Sequence, residues 1–168
     1  MKLFIASDIH NDLKRSEKLI EYINREKSSS LILLGDIGRD SISLFNQIKE
    51  KVVACKGNCD TLDDILSMKF PCHKINYFSF NKKLFVFTHG DEYSFSDYCQ
   101  SFGDDFDFFL SGHTHRSSYK SYMNKMILNP GSLSSARDGN NSYIVMDEKE
   151  IDFICIDDDR VFNKVSYF

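Results

Sequence analysis

Along the first third of the chain, short apolar runs alternate with longer amphipathic stretches. Lys2 to Ala6 is a compact apolar run of the kind that forms a buried strand. Asp12 stands where a helix N-cap is expected. From Leu13 to Ile23 the apolar positions Leu13, Leu19, Ile20 and Ile23 recur among charges in an amphipathic pattern. Leu31 to Leu34 reads as the next strand, Ile42 to Lys49 as a second helix and Val52 to Cys55 as a third strand. Strand, helix, strand, helix, strand in that order predicts parallel strands joined by crossover helices.

The pattern then changes. Lys74 to Phe80 and Lys83 to Thr88 flank Asn81-Lys82, which predicts two strands joined by a tight turn. Ser94 to Phe102 suits a helix and Phe106 to Ser111 another apolar strand. Beyond Ser117 the chain reads mostly as strands, at Ser118 to Tyr122, Met126 to Leu128, Tyr143 to Asp147, Glu150 to Ile156 and Val161 to Tyr167. Two sheets packed face to face with helices outside accommodate these elements. The one soft-looking stretch, Lys27-Ser28-Ser29-Ser30, is short enough to be a turn, and no internal repeat is present.

Composition narrows the class without changing this picture. With 168 residues, 42% of them hydrophobic and 27% charged, the chain suits a single globular domain over residues 1–168. A net charge of −4 argues against a protein whose main task is to hold nucleic acid, since that affinity comes from neutralising phosphates. A phosphate ester substrate is not excluded, because bound divalent cations reverse the local field. No apolar run approaches the roughly 18 residues of a membrane span, and the N-terminal apolar run is too short for a signal-peptide core. Cys55, Cys59, Cys72, Cys99 and Cys155 form an odd set without C-x-x-C spacing. This argues against structural zinc and a disulfide framework, and for a reducing, cytoplasmic location.

The candidate chemistry lies just past the carboxyl ends of the predicted strands. The first is followed by Asp8-Ile9-His10, the second by Gly35-Asp36 and the third by Gly57-Asn58-Cys59-Asp60. The Lys83 to Phe87 strand is followed by Thr88-His89-Gly90, and Phe106 to Leu110 by Gly112-His113-Thr114-His115. Ligands of open α/β sheets bind beyond the carboxyl ends of the strands, so these five loops are expected to gather in one place. Asp8 and His10, and likewise His113 and His115, stand two residues apart and on extended backbone would point the same way. Four of the five histidines fall in these loops, and His73 alone does not. The set Asp8, His10, Asp36, Asn58, His89, His113 and His115 offers carboxylate and amide oxygen with imidazole nitrogen and no thiolate. That mix suits Mn, Fe, Zn or Ni better than a purely oxygen-seeking Ca or Mg site. Each fragment alone is weak, since an Asp can cap a helix and a Gly can serve a turn. Their joint occurrence, each after a strand, carries the reading.

This series closely resembles the calcineurin-like metallophosphoesterase superfamily. The Gly57-Asn58-Cys59-Asp60 and Asn129-Pro130-Gly131-Ser132 stretches look like its small bacterial YfcE-like phosphodiesterase branch. The resemblance covers essentially the whole chain and implies a four-layer α-β-β-α sandwich of two mixed sheets. It implies that Asp8, His10 and His115 hold one metal, that Asp36 bridges, and that Asn58, His89 and His113 complete a second. Asp36, Asn58 and His89 would then be catalytic, and a hydroxide bridging the two ions would attack a small phosphodiester. Manganese heads the metals so implied, with Zn, Fe or Ni as alternatives. The alternatives in function are a phosphomonoesterase, a nuclease, or a non-catalytic scaffold of the same fold. A homo-oligomer would be in keeping with the family. In one respect the chain departs from many relatives, which carry His directly after the motif Asn where this chain has Cys59. That departure fits the diesterase branch.

Secondary candidates have bland readings beside them. Asn11 is a candidate substrate contact or a turn residue. Arg39, three residues after Asp36, is a candidate phosphate contact or a solvated charge at a helix start. Cys59 is a candidate substrate contact, although a small residue filling space is the favoured reading. Asp60 is expected to cap the helix beginning near Thr61 rather than orient the Asn58 loop. Asn129-Pro130-Gly131-Ser132 is, as plain chemistry, a turn signal, and Asp157-Asp158-Asp159 is expected to be a solvated hairpin turn. The cleft rim is expected from Glu92 to Phe106 and from Arg137 to Asn141.

Overall fold

The computed structural model describes residues 1–167. Its elements in chain order begin with β1 (Lys2–Ala6), α1 (Leu13–Arg25), β2 (Ser29–Leu33), α2 (Arg39–Phe45), β3 (Lys51–Cys55), α3 (Leu62–Ser67) and β4 (Cys72–His73). They continue with β5 (Ile75–Phe80), β6 (Lys83–Thr88), α4 (Phe95–Phe102), β7 (Phe108–Leu110), β8 (Ser117–Tyr122) and β9 (Lys125–Pro130). Last come β10 (Ser142–Met146), β11 (Glu150–Cys155) and β12 (Val161–Ser166).

The apolar runs near the N-terminus are continuous because their strands are buried on both faces. Leu3 and Ile5 of β1 enter one core while Phe4 and Ala6 enter another. In β2, Ile32 is divided from Leu31 and Leu33 in the same way, and in β3 Val53 and Cys55 are divided from Val52 and Ala54. These strands pair in parallel, as the crossover pattern predicts, and antiparallel β10, β11 and β12 extend the free edge of β1. The result is a seven-stranded mixed sheet in the order β12-β11-β10-β1-β2-β3-β4. The second sheet is also mixed and runs β5-β6-β7-β9-β8. Its β5/β6 hairpin turns at Asn81 and Lys82, both at positive φ as a tight two-residue turn requires.

The layers follow from which face each element buries. Between the sheets lies a phenylalanine-rich core in which Phe85 and Phe108 stack with centroids 4.5 Å apart. Helices α1 and α2 cover the larger sheet through Leu19, Ile23, Ile42 and Phe45. Helix α4 covers the smaller one, where Tyr98 packs on Phe106 and Phe109. The fold is therefore the expected four-layer α-β-β-α sandwich.

Three local expectations are corrected, and one short strand is added. Ser29 and Ser30 belong to β2 rather than to a turn, because their backbones complete the parallel ladder opposite Lys2 and Leu3. Helix α2 starts earlier and ends at Phe45, where the Asn46 side chain reaches Ser67 O and Lys69 N and ties the chain to the end of α3. Strand β4 has only two residues and no apolar run to announce it. The Asp157-Asp158-Asp159 turn is docked rather than merely solvated. Asp157 meets Arg15 at 2.7 Å, and Asp159 meets Lys18 at 2.9 Å and Tyr22 Oη at 2.6 Å, all on α1.

Candidate active site

The expected loops converge. β1 leads into Asp8 and His10, β2 into Asp36, β3 into Asn58, β6 into His89, and β7 into His113 and His115. The first three strands belong to one sheet and the last two to the other, so the cluster spans the junction between sheets. The loops are stitched by backbone hydrogen bonds. Ile9 N and His10 N both donate to Asp36 O at 2.9 Å, and Gly112 N donates to His89 O at 2.8 Å. Where loops touch, only glycine fits. A Cβ at Gly112 would lie 1.8 Å from Ser7 Oγ, and one at Gly57 would lie 2.1 Å from Asp36 Oδ1.

Extended alternation is not what brings the pairs together. Asp8, His10, Asp36, His113 and His115 lie at φ of 52°, 47°, 52°, 65° and 57°. A non-glycine residue in this left-handed region costs about 1–2 kcal/mol, though Asp and His are among the residues that tolerate it best. The chain must reverse sharply at the strand ends to aim these side chains inward, and the inter-loop hydrogen bonds hold the strain in place.

The side chains form a knot of acceptor atoms. His115 Nδ1 lies 2.9 Å from Ser135 O, and His89 Nδ1 lies 2.6 Å from Leu34 O. A carbonyl can only accept, so both rings carry a proton on Nδ1, and in the neutral form that can ligate a metal each turns the lone pair of Nε2 into the cluster. His115 Nε2 then faces Asp8 Oδ1 at 3.0 Å and His10 Nε2 at 3.4 Å. His89 Nε2 faces Asn58 Oδ1 at 3.1 Å and Asp36 Oδ2 at 3.4 Å, and His113 Nδ1 lies 3.1 Å from the same Asn58 oxygen. Asp8 is fully buried, and its Oδ1 accepts no hydrogen bond among the described residues. A carboxylate oxygen without a donor, ringed by lone pairs, is costly unless a cation stands among them. Asp8, His10 and His115 form one group able to hold an ion, Asp8, Asp36 and His89 a second, and His10, Asp36 and Cys59 a third, with ligand atoms in each group within 4.8 Å of one another.

Electrostatics point the same way. Burial works to raise the Asp36 carboxyl, but His89 and the Cys59 N–H, which donates to Asp36 Oδ1 at 2.8 Å, hold it well below the usual carboxylate range. Burial works to lower His89, and Asp36, the Leu34 carbonyl and Asp8 reverse this and raise its pKa to about 9. The His89 shift reports surroundings that favour positive charge, and the Asp36 shift reports a carboxylate held ionised beside it.

A profile described as the calcineurin-like phosphoesterase superfamily domain matches residues 1–150. The chain belongs to that superfamily. It is thus a hydrolase of phosphoric esters from a family that uses divalent metals. Phosphodiesterase YfcE of Escherichia coli K12 is 28% identical, with 99% of this chain and 98% of that protein covered. Phosphodiesterase MJ0936 of Methanocaldococcus jannaschii is 26% identical over 78% of this chain and 83% of its own. In structure, the Escherichia coli YfcE phosphoesterase superposes with a TM-score of 0.87 at 26% identity, with all of both chains covered. Vps29 of Entamoeba histolytica in its zinc complex shares the fold at a TM-score of 0.75, 17% identity and full coverage of both chains.

Within this phosphoesterase, residues outside the predicted cluster hold it in place. Asp60, expected as a helix cap, is 4% exposed and spends its carboxylate on the N–H groups of Asp36, Ile37 and Gly57 at 2.8, 2.9 and 2.8 Å. Thr61 caps α3 instead, in a reciprocal capping box with Asp64. Ser7 Oγ donates to Asp8 Oδ2 at 2.6 Å, and Ser132 Oγ to Asp8 O at 2.7 Å. Asn129 Nδ2 donates to Gly112 O at 2.9 Å, so the Asn129 to Ser132 stretch braces two of the loops. The Arg137 to Asn141 segment flanks the His115 side, where Arg137 N donates to His115 O at 2.8 Å. Most of Glu92 to Phe106 is taken up by α4 on the outer face of the smaller sheet.

The secondary candidates divide. Asn11 serves the turn, because its Oδ1 accepts from Asp40 N at 2.9 Å. Arg39 pairs through Nε with Asp64 Oδ1 at 3.2 Å. Cys59 is exposed, and burial of its sulfur, with Asp36 beside it, pushes its thiol up to about 11, so it presents a neutral S–H. His73 lies exposed on β4, away from the cluster.

Proposed function

We propose that this phosphoesterase is a phosphodiesterase, carried by a single domain, that hydrolyses a small diester with two divalent cations. Asp8, His10 and His115 would hold one ion, Asn58, His89 and His113 the other, and Asp36 would lie between them. The observation that carries this reading is the buried, undonated Asp8 Oδ1 among imidazole lone pairs. When bound, the cations would activate a water and offset the charge that builds on the phosphoryl oxygens. The chain's own part is positional. Leu34 O and Ser135 O orient His89 and His115 with Nε2 inward, and Cys59 N–H and Asp60 fix the Asp36 loop. No side-chain nucleophile is required. The names of the two curated relatives support a diester, and Cys59 in place of a histidine supports it too, since a neutral thiol is a poor proton donor to a leaving group. Manganese is the first metal to try on this mixed nitrogen and oxygen set.

The test is to strip the protein with a chelator, add back Mn, Zn, Ni or Mg, and follow a chromogenic phosphodiester beside its monoester. Metal-restored cleavage favouring the diester is expected. Asn58→Ala and His89→Ala should lose it while keeping the wild-type circular dichroism spectrum. Failure to cleave either ester with any of the ions would rule the reading out in favour of a scaffold.

A further inference from the structure

A recess of about 390 Å³ opens directly beside the cluster. His10 and Asp36 line its inner end, and Arg39, Cys59, Asp60 and Asp64 are among the residues that line the rest. Arg39 is the one cationic side chain on this wall, and two anchors set its position. Asn11 Oδ1 accepts from Asp40 N and so holds the turn that carries Arg39. Asp64 Oδ1 takes Arg39 Nε, while Asp64 Oδ2 is itself fixed by Thr61 N at 2.9 Å and Thr61 Oγ1 at 2.7 Å. Only Nε of the guanidinium is engaged among the described residues, so its two terminal amino groups remain available. The side chain is 55% exposed against 12% for Asp64. A guanidinium held at Nε by a buried carboxylate, with its outer edge open, is prepared to grip an oxyanion in a two-pronged geometry.

We propose that this recess receives one arm of the diester and that Arg39 binds a second anionic group, a carboxylate or a phosphate, at the end of that arm. The inference rests on the phosphodiesterase reading and names its substrate class as diesters with one anionic arm. The rest of the recess wall fits this assignment. Its two further carboxylates are already engaged, Asp60 by the N–H groups of Asp36, Ile37 and Gly57 and Asp64 by Arg39 and Thr61, and Gly38 places no side chain in the passage between the cluster and Arg39.

The experiment uses metal-loaded protein and three p-nitrophenyl butyl phosphodiesters whose butyl arm ends in methyl, carboxylate or phosphate. The readout is the ratio of kcat/KM for each anionic arm to that for the methyl arm, in which any general loss of rate cancels. Wild type should favour at least one anionic arm by about tenfold, the scale of one charge-assisted contact. Arg39→Gln should bring that ratio close to one, and Arg39→Lys should keep part of it. Whichever anionic arm is preferred identifies the group that is read. Cleavage of all three esters with the same ratios in wild type and Arg39→Gln would overturn the inference and leave the phosphodiesterase reading standing. Absence of any cleavage would overturn both.

Discussion

Replacing Asp60 by alanine removes the acceptor for three backbone N–H groups at once, those of Asp36, Ile37 and Gly57. The carboxylate is 4% exposed, so little water stands ready to replace it. At about 1–2 kcal/mol for each orphaned buried N–H, the loss comes to roughly 3–6 kcal/mol, a large share of the 5–15 kcal/mol that stabilises an ordinary domain. Asp60→Asn makes a sharper comparison. One oxygen of Asp60 takes both Asp36 N and Gly57 N, and the other takes Ile37 N. An asparagine can keep the first two and lose the third, at a cost of about 1–3 kcal/mol. Urea unfolding of the metal-free variants measures both values, with an unchanged m-value as the check that the denatured state is comparable. A helix cap would be worth only about 1 kcal/mol. If Asp60→Ala proved no more destabilising than that, Asp60 would not be the joint between the β2 and β3 loops.

Other consequences are open to test. Asp8→Asn should leave the metal-free protein as stable as wild type or more so, because it discharges a buried carboxylate oxygen without a donor, and should cancel the rise in Tm on adding metal; calorimetry with and without Mn checks both. Gly112→Ala places a Cβ 1.8 Å from Ser7 Oγ and 2.8 Å from Asp8 Oδ2, so it should cost more than about 2 kcal/mol in chemical unfolding and weaken metal binding in titration calorimetry. Asp157 is lowered below its usual range by hydrogen bonding to Arg15, and Asp159 by Tyr22 and then Lys18. A carboxylate with a depressed folded pKa contributes stability above its unfolded value, near 4, and loses it as pH falls through the folded value. Protection factors of the amides in the N-terminal half of α1, which divide out the intrinsic slowing of exchange in acid, should therefore fall below about pH 4 in wild type, and Asp157→Asn should flatten that dependence.

Much of this protein can be read locally. Apolar runs that split their residues between two cores announce β1, β2 and β3 wherever they occur, because period-two alternation follows from the strand itself. The seven candidate ligands were legible for the same reason, since each follows a strand, and strand ends gather by topology alone. What the sequence could not reveal are features set by packing across long separations. Asp60 closes onto the Asp36 loop 24 positions away, and Ser132 reaches Asp8 O across 124 positions. Strand β4 exists only because β3 offers it a ladder, and the left-handed turns at Asp8, His10, Asp36, His113 and His115 persist only because neighbouring loops bind their backbones. The pairing of Arg39 with Asp64, which sets the guanidinium at the recess, arises where α2 and α3 meet. A side chain's type and its local period are written in the chain, whereas its hydrogen-bond partner is chosen when the sheets and helices close on one another.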